Sequence, residues 1–216
     1  MKINAIIFDM GGVILDSEKV YIRFWSEAGK ACGYPFEKKH ALAIRSMARP
    51  YAIEKLKGFF GEDFDYDLVR NKRIELMEKY VDEYGLEKKP YSDYTLKYLK
   101  DNGYKVALAT ATQTDKAKKY LKRAGLLDYF DEIVSAHMVK HGKPAPDIYE
   151  FAAEKLGFNP ENCMAVEDSP NGAQSAISAG CVTVIVPDMD EPEGDVLNKV
   201  YKVIDNLSEI EYLLRE

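Results

Sequence analysis

Cysteine is scarce in this chain of 216 residues: Cys32, Cys163 and Cys181 are too few and too scattered for a disulfide framework or a zinc site. They read as buried thiols kept in a reducing compartment. Long apolar runs are missing too. No stretch approaches the ~18 consecutive apolar residues that a membrane span requires. The apolar start INAIIF is interrupted by Asp9, which argues against a secretory signal there. Positive charge is not in excess: 30 Lys and Arg against 36 Asp and Glu leave a net charge of −6. A nucleic-acid or anionic-membrane surface is therefore disfavoured, because such surfaces draw their affinity from Lys and Arg near phosphates. The three histidines, His40, His137 and His141, form no ligand set, and no repeat or low-complexity segment occurs. What remains is the expectation of a cytoplasmic, soluble, monomeric protein. Its hydrophobic content of 46% can fill one large domain or a core that carries an insert.

Two textures divide the chain. Short β-branched apolar runs occur at 3–8, 105–109, 132–134, 162–166 and 182–186. The later runs alternate with amphipathic stretches at 115–124, 147–156 and 170–179, followed closely by Gly125, Gly157 and Gly180 as helix stops. Ser169 and Pro170 suit the start of the third. A last helix is predicted from Asn206, with Glu209 three residues on and Leu207, Ile210 and Leu214 turned inward. Such alternation predicts an α/β fold, a parallel sheet with helices on both faces. Residues 16–86 differ, being helical almost throughout. One stripe runs Val20, Phe24, Trp25, Ala28, Cys32; another takes in Leu68, Ile74, Met77 and Val81. The expected organisation is a core of 1–15 and 87–216 with a helical cap of 16–86 inserted after the first strand, Ser17 and Pro90 lying near the hinges. The charge-rich pieces, KGFFGEDFDYD and 189–195, read as solvated loops, and the 15 tyrosines as packing for helix faces and the seam between cap and core.

Ligands of open parallel sheets bind beyond the carboxyl ends of the strands. Asp9 follows the first run, Thr110 and Thr112 the second, Lys143 lies beyond the third, and Glu167, Asp168 and Ser169 follow the fourth. Four ends bearing an Asp, a Thr, a Lys and an acidic pair suit phosphoryl transfer. Asp9, Glu167 and Asp168 offer hard oxygen ligands to Mg²⁺. Lys143, the Thr110 hydroxyl and loop amides such as that of Ala111 suit the phosphate oxygens whose charge needs stabilising. Carboxylates do act as nucleophiles, forming an aspartyl-phosphate. Gly11 and Gly12 allow close approach of the loop to a ligand.

The segments FDMGGVILDS, VALATAT, GKPAPDIY and VEDSPNGAQSAISAG resemble, in order and spacing, the four motifs of the haloacid dehalogenase superfamily. The nearest likeness is to its helical-capped branch of β-phosphoglucomutases and sugar-phosphate phosphatases. The resemblance covers essentially the whole chain and implies a Rossmann-like core with a mobile helical lid. It further implies Asp9 as nucleophile, the Thr110 hydroxyl and Lys143 on phosphate, and a metal held by Asp9, Glu167, Asp168 and the Gly11 carbonyl. Arg49, within AIRSMARP, is the implied substrate arginine. The expected partner is a small phosphorylated metabolite.

One departure stands out. Where the motif has Asp, any residue, Asp, this chain has Asp9, Met10, Gly11. The missing carboxylate serves the family as general acid, then as base. Its loss should cost about 100- to 10,000-fold. Three readings stay open: slow catalysis, in which Gly11→Asp should speed turnover; a deputy group, with Glu18 and Tyr21 nearest in sequence; or phosphate binding without turnover. The departure weighs against a mutase more than against a phosphatase. So do Val20-Tyr21, where the mutase carries a histidine, and Ser46, where the mutase loop favours Gly. A receiver-like signalling domain shares a phosphorylatable Asp and a Lys but lacks a helical insert and is near ~120 residues.

Overall fold

A computed structural model describes residues 2–45, 47–189 and 196–215. Ser46 and most of the 189–195 segment, on which two of the expectations fall, lie outside them. Six parallel strands form one sheet in the order β3-β2-β1-β4-β5-β6. They are β1 (Ala5–Phe8), β2 (Lys105–Thr110), β3 (Glu132–Ser135), β4 (Cys163–Glu167), β5 (Val182–Ile185) and β6 (Lys202–Val203). Five follow the apolar runs within a residue or two at each end. The sixth carries no apolar signal: it is two exposed residues paired only to β5 at the sheet edge.

Among the described residues of 16–86, four helices occur: α1 (Glu18–Ala31), α2 (Lys38–Ala43), α3 (Arg49–Phe60) and α4 (Tyr66–Tyr84). They share a hydrophobic cluster of their own, in which Trp25 stacks on Phe36 and Phe36 on Phe60. The α1 stripe is buried as its spacing predicts, apart from the half-buried Cys32 at its end. In α4 Met77 and Val81 are buried as expected and Ile74 is half-buried, but the first member of the stripe departs. Leu68 is half exposed and Val69 is buried, so the inward face runs Tyr66, Val69, Arg73, Met77, Val81. Asp65 explains the register, since its side chain accepts from the Leu68 amide and fixes where the helix starts. The two passages of chain into and out of this block touch: Asp16 N donates to Glu87 O, Lys89 N donates to Ile14 O, and Leu15 bridges Lys88.

Helices α5 (Ser92–Asp101), α6 (Thr114–Arg123), α7 (Asp147–Leu156), α8 (Pro170–Ala179) and α9 (Ile210–Leu213) accompany the sheet. The first of these has no counterpart among the expected elements, although Leu96 and Leu99 anchor it firmly. Ser169 caps α8 through the Gly172 amide, and Gly180 ends it in the left-handed conformation, as its signals predict. The start at Asn206 is a capping box with Glu209, opening one 3-10 turn before α9. The sheet is covered on both faces: Ile6, Phe8 and Leu108 belong to one apolar cluster, Ala5, Ile7 and Tyr149 to the other. Cys163 and Cys181 lie buried in the second cluster. Among the described residues no helix is long and apolar enough to cross a membrane.

Candidate active site

Register decides which side chains meet. Phe8 lies between Leu108 of β2 and Val166 of β4, so the residues just beyond these three positions converge at one edge of the sheet. Asp9 is fixed there by its own amide, which donates to Val166 O at 2.9 Å. Lys143 reaches in from the loop before α7. Its Nζ donates to Asp9 Oδ1 at 2.6 Å, to Glu167 Oε1 at 2.5 Å and to Ala109 O at 3.0 Å, which uses all three ammonium protons. Burial pushes the Asp9 carboxyl up to about 6, against the opposing pull of Lys143. Burial also pulls on Lys143, but Asp9 and Glu167 outweigh it and hold the ammonium above its ordinary range.

The two acidic residues after β4 do different work. Glu167 is fully engaged within the protein. Its Oε1 accepts from Lys143 and from the Tyr149 hydroxyl at 2.6 Å, and its Oε2 from the Asp168 amide and Ser169 Oγ. A Cβ added at Gly172 would stand 2.1 Å from this carboxylate. Asp168 is the opposite case. It is buried, and among the described residues neither carboxylate oxygen has a hydrogen-bond partner. Arg45 approaches it, with Nη1 3.5 Å from Oδ2 and Nη2 donating to the Asp168 backbone O at 3.0 Å. Burial, with the Glu18 charge next, pushes the Asp168 carboxyl well above its ordinary value. Gly12 is required beside it, being at φ +76° with only 2.1 Å between a notional Cβ and Asp168 Oδ2.

Ligand oxygens of Asp9, Glu167 and Asp168 lie within 4.8 Å of one another, a hard-donor set that fits Mg²⁺. The orphaned oxygens of Asp168 make it the best-fitted ligand, whereas Glu167 orients Lys143. Crowding of carboxylates also makes the metal-free fold sensitive to pH. Asp9 and Glu18 are raised from ordinary values of 3.8 and 4.5 to about 6 and about 7, so they hold protons more tightly folded than unfolded. The stability they contribute is full below the unfolded values and lost as pH rises through the folded ones. The melting temperature in EDTA should therefore fall by ~5 °C between pH 5 and pH 8. Millimolar Mg²⁺ should raise it more at pH 8 than at pH 5. Equal Mg²⁺ shifts at the two pH values would contradict this account.

The other expected residues divide. Thr110 is buried at the end of β2, where its hydroxyl accepts from the Thr112 amide at 3.1 Å, and it lines the cavity with Ala111. Arg49 opens α3 and lines the same cavity, yet its guanidinium donates to Asp67 at 2.6 Å and is half exposed. The arginine brought to the acidic cluster is Arg45, four residues earlier in the same AIRSMARP segment. Sequence reasoning also missed Tyr149, whose signal was its place in GKPAPDIY. Of the two deputies, Tyr21 packs its ring under Arg73, 4.8 Å from the guanidinium carbon. Glu18, the first residue of α1, leans over Gly11: a Cβ added there would lie 2.5 Å from Glu18 Oε1 and 2.8 Å from Ser17 Oγ. Burial pushes the Glu18 carboxyl up to about 7, against the pull of Arg45.

Between the strand ends and helices α1–α4 lies a cavity of about 530 Å³, with Asp9, Gly11 and Lys143 at its floor. Its walls carry Arg45, Arg70, Arg73, Lys116 and Lys140. Arg73 is buried under Tyr21 and Trp25, and its Nε has no hydrogen-bond partner among the described residues. An anion suits this chamber, with cations on its walls and the Asp9 carboxylate already paired to Lys143.

The sequence profile of the haloacid dehalogenase-like hydrolases matches residues 3–180. A phosphorylated carbohydrates phosphatase from Thermotoga maritima is 34% identical over 183 residues, covering 82% of this chain and 82% of that protein. Hexitol phosphatase A from Escherichia coli is 31% identical over 216 residues, covering 97% and 94%. Among solved structures, β-phosphoglucomutase from Clostridium difficile aligns with a TM-score of 0.84 at 26% identity, covering 99% of this chain and 96% of that one.

Proposed function

The chain belongs to the haloacid dehalogenase-like hydrolases and is a phosphoric monoester hydrolase, and we propose that it is a Mg²⁺-dependent phosphatase of a small sugar phosphate or related metabolite, with Asp9 as nucleophile. The observation that carries the reading is Lys143 clamped between Asp9 and Glu167 beside Asp168, whose carboxylate oxygens accept no hydrogen bond among the described residues, under a chamber walled with cations. A Mg²⁺ held by Asp9 and Asp168, with the Gly11 carbonyl and Glu167 close by, supplies charge neutralisation between a carboxylate and a phosphate.

The protein's own groups do the rest. The Thr110 hydroxyl and the Ala111 amide hold equatorial phosphate oxygens, and the Lys143 ammonium, fixed by its three protein acceptors, offsets the charge that builds on them. Asp9 attacks phosphorus in line. Arg45, Arg49, Arg70 and Arg73 orient the remainder of the substrate from above. Residues 16–86 act as a lid over a core of 1–15 and 87–216, turning on the paired strands of chain at Leu15 and Lys88, and its closure excludes water. The phosphatases among the relatives support this reading over a mutase, as does Gly11: a mutase must shuttle protons to and from sugar hydroxyls through the carboxylate missing there.

Phosphate release from p-nitrophenyl phosphate and from a panel of hexose 1-phosphates, hexose 6-phosphates and hexitol 6-phosphates tests it. Release should require Mg²⁺, disappear in EDTA, and favour one class of the panel. Release from none of them, with phosphate still bound, would reduce the site to a binding one.

A further inference from the structure

The site as described lacks a proton donor. Position 11 has no side chain, and every proton of Lys143 is engaged. Yet the space beside Gly11 is filled. The Glu18 carboxylate stands where a side chain at position 11 would begin, 2.5 Å from its notional Cβ. It lines the reaction cavity together with Asp9. We propose that Glu18, delivered by the first turn of α1, is the general acid and base of this enzyme, replacing from the helical block the carboxylate that the loop lacks.

Geometry favours it over the alternatives. Glu167 is saturated by Lys143, Tyr149 and two further donors, and Asp168 faces the metal position and Arg45. Tyr21 is held beneath Arg73. Asp168 abuts that loop at Gly12, whereas Glu18 stands beside Gly11, where the missing side chain would begin. A side chain at position 11 would oblige the flexible end of Glu18 to move aside, so Gly11 leaves that space to the Glu18 carboxylate. The proposal rests on the phosphatase reading above.

The cycle balances as follows. The Asp9 Oδ–P bond forms as the bond from phosphorus to the ester oxygen breaks, and protonated Glu18 gives its proton to that oxygen, releasing the alcohol. The Glu18 carboxylate then takes a proton from water. Water oxygen bonds to phosphorus as the Asp9 Oδ–P bond breaks, giving inorganic phosphate and returning both carboxyl groups to their starting states.

The test is Glu18→Gln, which keeps the shape and cannot give the proton. Phenyl phosphate and p-nitrophenyl phosphate have nearly the same shape, but only the nitrophenolate leaves readily without a proton. The value of kcat/KM reports the first step, so for Glu18→Gln it should fall ~100-fold or more on phenyl phosphate and less than ~10-fold on p-nitrophenyl phosphate. The latter should show a burst of nitrophenol of one equivalent followed by slow turnover, since water then attacks without a base. The double variant Glu18→Ala/Gly11→Asp puts a carboxylate back from the loop and should regain at least ~10-fold over Glu18→Ala. Equal losses on both substrates, or no gain in the double variant, overturn the proposal. If wild type releases phosphate and Glu18→Gln does so equally well, the Glu18 role fails alone. If wild type releases none, both readings fall. An unchanged Mg²⁺ shift in melting temperature shows that the Gln variant is folded.

Discussion

Asp9→Asn is expected to abolish Mg²⁺-dependent phosphate release, by about 10,000-fold or more, while leaving a folded protein. Asp9 stands at the central strand end, its amide bound to Val166 and its Oδ1 to Lys143, so an amide of the same shape can occupy the position. An Asn oxygen is a poor nucleophile and a weak metal ligand. The variant should therefore lose the stabilisation by Mg²⁺ as well as the activity. Because burial disfavours the Asp9 charge, the metal-free variant should melt no lower than wild type at pH 8. Activity and calorimetry on the same preparation check both halves. Retained turnover would remove Asp9 as nucleophile, and a collapse of metal-free stability would mean that Asp9 holds the fold together.

Lys143→Met should act in the reverse way on stability. The ammonium stands between two carboxylates, 2.6 Å from Asp9 and 2.5 Å from Glu167, with all three groups buried. Removing it leaves like charges facing one another without solvent. Breaking a buried pair in this manner costs about 3–5 kcal/mol. For a chain of this size that is a drop of ~10 °C in melting temperature at pH 8 without metal. Turnover should fall by about 1,000-fold, since a positioned positive charge beside the transferring phosphoryl group is lost. Arginine should not rescue it, because a planar guanidinium cannot aim three protons at Asp9, Glu167 and Ala109 at once. A Lys143→Met protein that melts like wild type in EDTA would show that the clamp is not structural.

Much of this was legible in the chain itself, for a physical reason. Buried parallel strands must be continuous and apolar, so β1, β2, β4 and β5 announce themselves, and the polar residues at the ends of β1, β2 and β4 (Asp9, Thr110 and Glu167) are conspicuous. The strand β6 does not, because two exposed residues at a sheet edge have no period to display. Leu68 and Val69 show the limit of a helical stripe. Adjacent apolar residues sit about 100° apart, and only the Asp65 cap decides which faces inward. Arg45 and Arg49 lie one helical turn apart in number, and their sequence does not say which will be drawn to Asp168. Tyr149 was hidden differently. Its phenol lies in the apolar cluster beneath the sheet while its hydroxyl reaches Glu167, so in sequence it is one more aromatic of α7. Glu18 is adjacent to the cap of its helix, where an acid is commonplace, and only the empty position at Gly11 gives it meaning.

The antiparallel contact between Leu15 and Lys88 bears on more than hinging. It brings the two ends of the segment holding α1–α4 to neighbouring points of the backbone, so the sheet meets the same short gap whatever lies between them. Closing a loop costs only ~0.6 kcal/mol more for each doubling of its length. Helices α1–α4 can therefore be lengthened, shortened or exchanged with little consequence for the sheet's own stability. Specificity can diverge in the insertion while Asp9, Lys143 and Asp168 stay in place. Glu18 is the exception to that independence. Its assignment to proton transfer would tie the first turn of α1 to the chemistry at the strand ends.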